Sequence, residues 1–180
     1  MTKICMIDME TLGQVAATCG ALTLGGVVID TAQNLYTELD FFFNRFNLQE
    51  QLDHYRTEAG TLRYHFDLPP EIGKANFAKE DELPEHDVLK NFAQWFQQHN
   101  PDEIWSLGAD FDITILGRRY GKFFMEIPWG YRKARCFRTI REMCKHIQTP
   151  FTNLASHNAL SDARYQAQCL HTWLKHIKID

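Results

Sequence analysis

The stretch KICMIDMETLG, Lys3–Gly13, decides the fold. Its first seven residues, Lys3–Met9, are short and almost wholly apolar, which reads as a strand buried on both faces. It then presents two acids, Asp8 and Glu10. Strand side chains alternate, so residues two apart share a face. Two unpaired carboxylates this close repel each other and are costly to bury. A divalent cation removes that cost, because carboxylate oxygens are the ligands Mg²⁺ and Mn²⁺ prefer. The plainer alternative is a strand that ends in solvent at Asp8, and DxE alone is a weak signal.

Further strands follow. Gly20–Asp30 (GALTLGGVVID) reads as a second, with Gly25-Gly26 marking a bulge or a close approach. Leu35–Asn44 reads as a third, with Asp30–Asn34 as the turn, so the three form an antiparallel meander. In this third strand Phe41, Phe42 and Phe43 are expected to pack on both sheet faces. A helix is expected over Thr57–Phe66, ended by Pro69-Pro70, and a polar surface loop over 71–84. Glu85–His99 repeats Val88, Phe92 and Trp95/Phe96 at helical spacing and stops at Pro101. Ile104–Leu107 reads as a short strand and Phe111–Phe123 as a helix. Ala134–Thr139 reads as a last strand running into a helix that ends near Ile147. Asp162–Ile177 is the clearest helix, with Ala163, Ala167, Leu170, Leu174 and Ile177 on one stripe. Three paired strands followed by strands alternating with helices predict an α/β fold, one mixed five-stranded sheet flanked by helices. The 180 residues fit a single domain, 1–180.

Composition narrows the class. The chain is 44% hydrophobic and 23% charged, which argues against disorder. No apolar run approaches the roughly 18 residues of a membrane span, so no membrane partner is expected. Asp8 and Glu10 interrupt any signal-peptide core, and a soluble, cytoplasmic protein is expected. The five cysteines are odd in number, widely spaced and free of CxxC pairs. Neither a disulfide framework nor a cysteine zinc site is expected. The net charge of −4 excludes a globally basic nucleic-acid binder, yet Gly117–Lys145 holds nine basic residues against two acidic ones. That segment is either a phosphate-binding face beside a carboxylate site or a solvated helical face.

Two further sites carry acids. In GADFDITIL, Gly108–Leu116, a short strand gives way to a helix, and Asp110 or Asp112 could serve only the helix dipole. In HNALSD, His157–Asp162, Ser161 reads as the N-cap of the last helix with Asp162 in its first turn. The dipole there favours an ionised Asp162. His157 sits five residues earlier, and a lone histidine is more often structural or solvated.

Taken together the three sites are far more specific. DxET, then FD at a helix start, then HxxxxD before the last helix resembles the DEDDh 3′→5′ exonucleases. The stretches IWSLGADFDITIL, PWGYRKARCFRTIREM and HNALSDARYQAQCLHTWL resemble the small phage exonucleases of the DexA type, and the related exodeoxyribonuclease-VIII-like and bacterial exoribonuclease proteins. TLRYHF, Thr61–Phe66, is similar to that group's helix before the acidic loop. The resemblance covers most of the chain and is weakest over 67–84. The second site departs from the group's usual GNGASFD. Here SLGADFD aligns Asp112 with the family acid and leaves Asp110 either a bystander or an extra charge near the metals.

The resemblance implies a ribonuclease-H-like fold and two divalent ions, Mg²⁺ or Mn²⁺, held by Asp8, Glu10, Asp112 and Asp162. His157 would be the general base, and an ordinary imidazole is neutral at mildly alkaline pH, as that role requires. Thr11, Leu12 and Gly13 match the loop that holds the terminal nucleotide. The basic segment, through Arg132 and Lys133, would guide the phosphates of a single strand. Trp129 is either a stacking platform or core, with core preferred. Single-stranded DNA is expected as substrate ahead of RNA. An exoribonuclease is the alternative, because two-metal chemistry does not need the 2′ carbon. A proofreading-type subunit that needs a partner is a further one.

Overall fold

The computed structural model describes residues 3–153 and 155–177. The opening stretch is the strand β1, Lys3–Thr11, which pairs antiparallel with β2, Ala21–Asp30. β2 pairs antiparallel with β3, Glu38–Phe46, completing the expected meander. Then come α1 (Leu48–His54), α2 (Ala59–Asp67), α3 (Pro70–Asn76), the two-residue strand β4 (Glu82–Leu83) and α4 (Glu85–His99). β5 (Glu103–Ser106) leads through a π-helical turn, Ala109–Ile113, into α5 (Thr114–Lys122). β6 (Ala134–Cys136), α6 (Phe137–Met143) and α7 (Ala159–Leu174) follow. The sheet runs β4-β3-β2-β1-β5-β6, with β5 and β6 parallel to β1. It is the expected mixed α/β sheet with one short added edge strand, β4.

Both faces of β1 are covered, which is why its apolar run is unbroken. Cys5, Ile7 and Met9 pack into a core with Val88, Phe92 and Phe96 of α4 and Leu116 and Tyr120 of α5. Ile4 and Met6 face the other way, against Ala163, Ala167 and Leu170 of α7 and Trp105. By that alternation Asp8 and Glu10 fall on the face that α7 covers. Asp8 pairs with Gly25 of β2. A β-carbon built on Gly25 would lie 2.4 Å from the carbonyl carbon of Ala159, so the glycine marks a close approach and lets the start of α7 lie against the sheet.

The structure departs from these expectations in several places, among them the end of α7 at Leu174, the end of α6 at Met143 and the start of α5 at Thr114. The expected loop over 71–84 contains α3, where proline at the first turn presets the backbone. α1, which was not expected, starts at Asn47, whose side chain accepts from the Glu50 amide at 3.0 Å. α7 starts three residues earlier than expected, because Asn158 rather than Ser161 is its N-cap and accepts from the Ser161 amide at 3.1 Å. Of the consecutive Phe41, Phe42 and Phe43 in β3, Phe42 is buried while Phe41 is 52% exposed beneath the Arg164 guanidinium. Trp129 is core, packed edge-on to Phe92, Phe96 and Tyr120.

Candidate active site

β1 delivers Asp8 and Glu10, and the first turn of α7 delivers Asp162. One carboxylate oxygen from each of the three lies within 4.8 Å of the others. The π-helical turn after β5 brings in Asp112, buried, close enough for its charge to act on Asp8. The carboxyls raise one another's proton affinity. Burial, then the charges of Asp112, Asp162 and Glu10, hold Asp8 well above the usual carboxylate range. Burial, then Asp162 and Asp112, push Glu10 up to about 8. Burial lifts Asp112 to about 7, against the pull of backbone amides and the Arg138 charge. Asp162 is raised by burial too. Four acids gathered and desolvated in this way are stable as anions only beside cations. The oxygen-rich donor set suits a hard divalent ion.

Each acid is held in place. Asp162 accepts from the Asn153 side-chain amide, and from the His157 backbone N–H at 2.7 Å. Ser161 Oγ donates to Asn153 Oδ1 at 3.2 Å, so Asn153 is itself fixed. One turn beyond Asp162, Gln166 Nε2 donates to Asp8 Oδ1 at 2.9 Å. His157 sits just before α7 with φ 68°, the left-handed region, and Asn76 Nδ2 donates to its carbonyl at 2.8 Å. Its ring meets the Tyr64 hydroxyl, 2.5 Å from Nε2 and 2.8 Å from Nδ1. The next residue, His65, is buried and bonds the Thr11 carbonyl through Nε2 at 2.9 Å.

The other expected residues divide. Thr11, Leu12 and Gly13 continue directly from Glu10. Thr11 Oγ1 donates to the Gly13 carbonyl at 2.9 Å, and the Leu12 side chain is fully buried. The structure does not bring Arg132 and Lys133 to the carboxylates. The strand register puts Lys133 level with Ile4, about 13 Å along the sheet from Asp8 at ~3.3 Å per residue. Its ammonium bonds the Pro101 carbonyl, and Arg132 folds onto Tyr131. Arg119 and Lys122, also in the basic segment, bind the buried Glu85. Arg138 does reach the site. One of its guanidinium nitrogens lies 2.9 Å from where a β-carbon on Gly108 would be, and its charge lowers the Asp112 pKa. Asp110 is exposed. Gln166, Asn153, Tyr64, His65 and Asn76 are not singled out by the sequence, and Arg138 stands there only as one member of the basic segment. The spacing of Gln166, four residues after Asp162, was the one local signal available.

The fold, with four acids and a histidine gathered at one place, agrees with the resemblance drawn from the sequence. The profile of the 3′–5′ exoribonuclease Rv2179c-like domain matches residues 3–174, and the chain belongs to that family. Among solved structures it is similar to E. coli Exonuclease I in complex with a dT13 oligonucleotide, at TM-score 0.70 and 12% identity, covering 96% of this chain and 41% of that one. The zinc-bound E. coli ExoI–ssDNA complex gives TM-score 0.68 and 14% identity over 98% of this chain and 41% of that one. The nuclease domain of 3′hExo, a DEDDh family member bound to rAMP, gives TM-score 0.65 and 12% identity over 97% and 92%. The chain thus spans about two-fifths of the Exonuclease I chains it matches. A comparison with curated proteins finds no match. No helix among the described residues is long and apolar enough to cross a membrane.

Proposed function

We propose that the chain is a metal-dependent enzyme that releases nucleoside 5′-monophosphates from the 3′ end of single-stranded nucleic acid. The observation that carries this reading is the convergence of Asp8, Glu10 and Asp162 oxygens within 4.8 Å, with Asp112 alongside. These four would hold the divalent ions, Mg²⁺ or Mn²⁺. Bound there, such ions supply positive charge to the scissile phosphate and acidify water. The chain's own residues do the rest. Asp162 and Asp8 are kept in place by Asn153, Gln166 and the His157 amide. His157 takes the proton of the attacking water on a ring nitrogen. Thr11, Leu12 and Gly13 border the terminal nucleotide, and Arg138 meets the phosphates in place of Arg132 and Lys133.

RNA is the substrate we favour. The family profile describes an exoribonuclease and matches nearly the whole chain, whereas the DNA-bound neighbours share 12–14% identity and speak for the fold. The phage-type stretches of the sequence point instead to single-stranded DNA. The test is a gel assay with 5′-labelled RNA and DNA of one sequence, each with Mg²⁺, Mn²⁺ or EDTA, beside Asp8→Ala. A metal-dependent ladder shortening from the 3′ end, lost in the variant and faster on RNA, is expected. Faster shortening of DNA would reverse the substrate order, and no shortening of either would overturn the reading.

A further inference from the structure

Two anchors fix the main chain of His157 but leave its ring free: the N–H to Asp162 and the carbonyl to Asn76. Only the two side-chain torsions then decide where the imidazole points. Among the described residues, the Tyr64 hydroxyl is the one group hydrogen-bonded to that ring. The two rings meet edge-on, with centroids 5.0 Å apart and planes at 87°. Tyr64 is itself placed by its neighbour, since buried His65 ties α2 to the end of β1 at Thr11. The helix that docks on the strand carrying Asp8 and Glu10 therefore also carries the group that touches His157.

A general base works only when oriented, and the usual device is a third group bonded to the far ring nitrogen. The hydroxyl lies 2.5 Å from Nε2 and 2.8 Å from Nδ1, so a turn of the ring about its two torsions keeps it on Nδ1 and frees Nε2 for water. We infer that Tyr64 is the positioning residue of His157, accepting Nδ1–H on its oxygen so that the lone pair of Nε2 faces the attacking water. In the step itself the water proton passes to Nε2, and Tyr64 exchanges none. A phenol titrates at about pH 10, so the hydroxyl stays neutral through the working range. The inference rests on the exonuclease reading above.

The test is a double-mutant cycle on the full chain: wild type, Tyr64→Phe, His157→Ala and the double variant. Single-turnover rates are read at saturating Mg²⁺ and saturating 5′-labelled RNA. Tyr64→Phe is expected to slow turnover roughly tenfold, a fraction of what general-base catalysis contributes, with KM within about twofold. In the His157→Ala background the same change is expected to do nothing more. Losses that multiply would overturn the inference, since Tyr64 would then act on substrate or on the fold. Full activity of Tyr64→Phe would overturn it as well. NMR of the imidazole nitrogens needs no activity and separates the two readings. If the wild type cleaves nothing, or His157→Ala is fully active, the catalytic reading fails. The contact then stands or falls on whether Tyr64→Phe moves the His157 Nδ1 resonance, and an unmoved resonance would sink it.

Discussion

Gly25 lies opposite Asp8 in the β1–β2 ladder, and the space above it is taken by the backbone of Ala159 and Leu160. The absence of a side chain on β2 is therefore what lets α7 bring Asp162 to Asp8. Gly25→Ala is expected to cost about 1–3 kcal/mol, as overpacking of a filled site does. It should also weaken Mg²⁺ binding by moving Asp162 outward. Urea unfolding and calorimetric titration check the two effects, and a variant with unchanged stability would contradict the packing argument.

The acids and the histidine should separate metal binding from turnover. Asp8→Ala and Asp162→Ala are expected to lose both. His157→Ala should keep Mn²⁺ affinity while its single-turnover rate falls by about 10²-fold or more. Titration calorimetry alongside quench-flow at saturating Mn²⁺ measures each quantity. An unchanged rate in His157→Ala would remove it from the mechanism.

Stability of the metal-free protein should fall as pH rises. Glu10 titrates near 4.5 when unfolded and about 8 when folded, so between these values the folded state holds more protons. Stability then drops by about 1.4 kcal/mol per pH unit for each such carboxyl. Thermal melts in EDTA should show Tm lower at pH 8 than at pH 5.5, with a shallower slope in Glu10→Gln. Added Mg²⁺ should raise Tm more at pH 8, because it binds the ionised carboxylates. A Tm in EDTA that climbs over this range would refute the assignment.

Arg138 and Arg132 should behave differently. Arg138→Ala is expected to raise KM and to lessen the salt dependence of binding by about one counterion. Arg132→Ala, some 13 Å or more from the carboxylates by the same ~3.3 Å per residue, should change neither appreciably. Fluorescence anisotropy with a labelled oligonucleotide across a salt series decides between them. A larger effect at Arg132 would restore the original placement of the basic track.

The buried pair of Arg119 and Glu85 holds α5 to α4, joined by Lys122 and Tyr55. Arg119→Met leaves a fully buried carboxylate short of its main partner and is expected to cost about 3–5 kcal/mol. Urea unfolding measures it.

Much of this site was open to local reading. The pairing of Asp8 with Glu10 follows from strand alternation, and the close approach at Gly25 from a glycine in a strand. Asp112, His157 and Asp162 had strong local alternatives, and only their joint resemblance to a family singled them out. What stayed hidden was contact across the chain. Tyr64 meets His157 over 93 residues and Gln166 meets Asp8 over 158, distances that no periodicity encodes. The distance of Arg132 and Lys133 from the carboxylates was hidden for the same reason. A run of charge says where it lies in sequence, not at which end of a parallel strand it emerges.

The turn at Ala109–Ile113 is wound more widely than an α-helix, and this sets the tolerance of the chain to changes in length. A substitution there alters one side chain. Deleting a single residue would let the turn tighten to α-helical spacing while α5 stayed seated by its core contacts. Asp112 would then rotate by about 100° around the helix axis, away from the other three acids. The segment from Gly108 to Thr114 is thus a place where the count of residues, more than their identity, keeps the fourth acid facing the site.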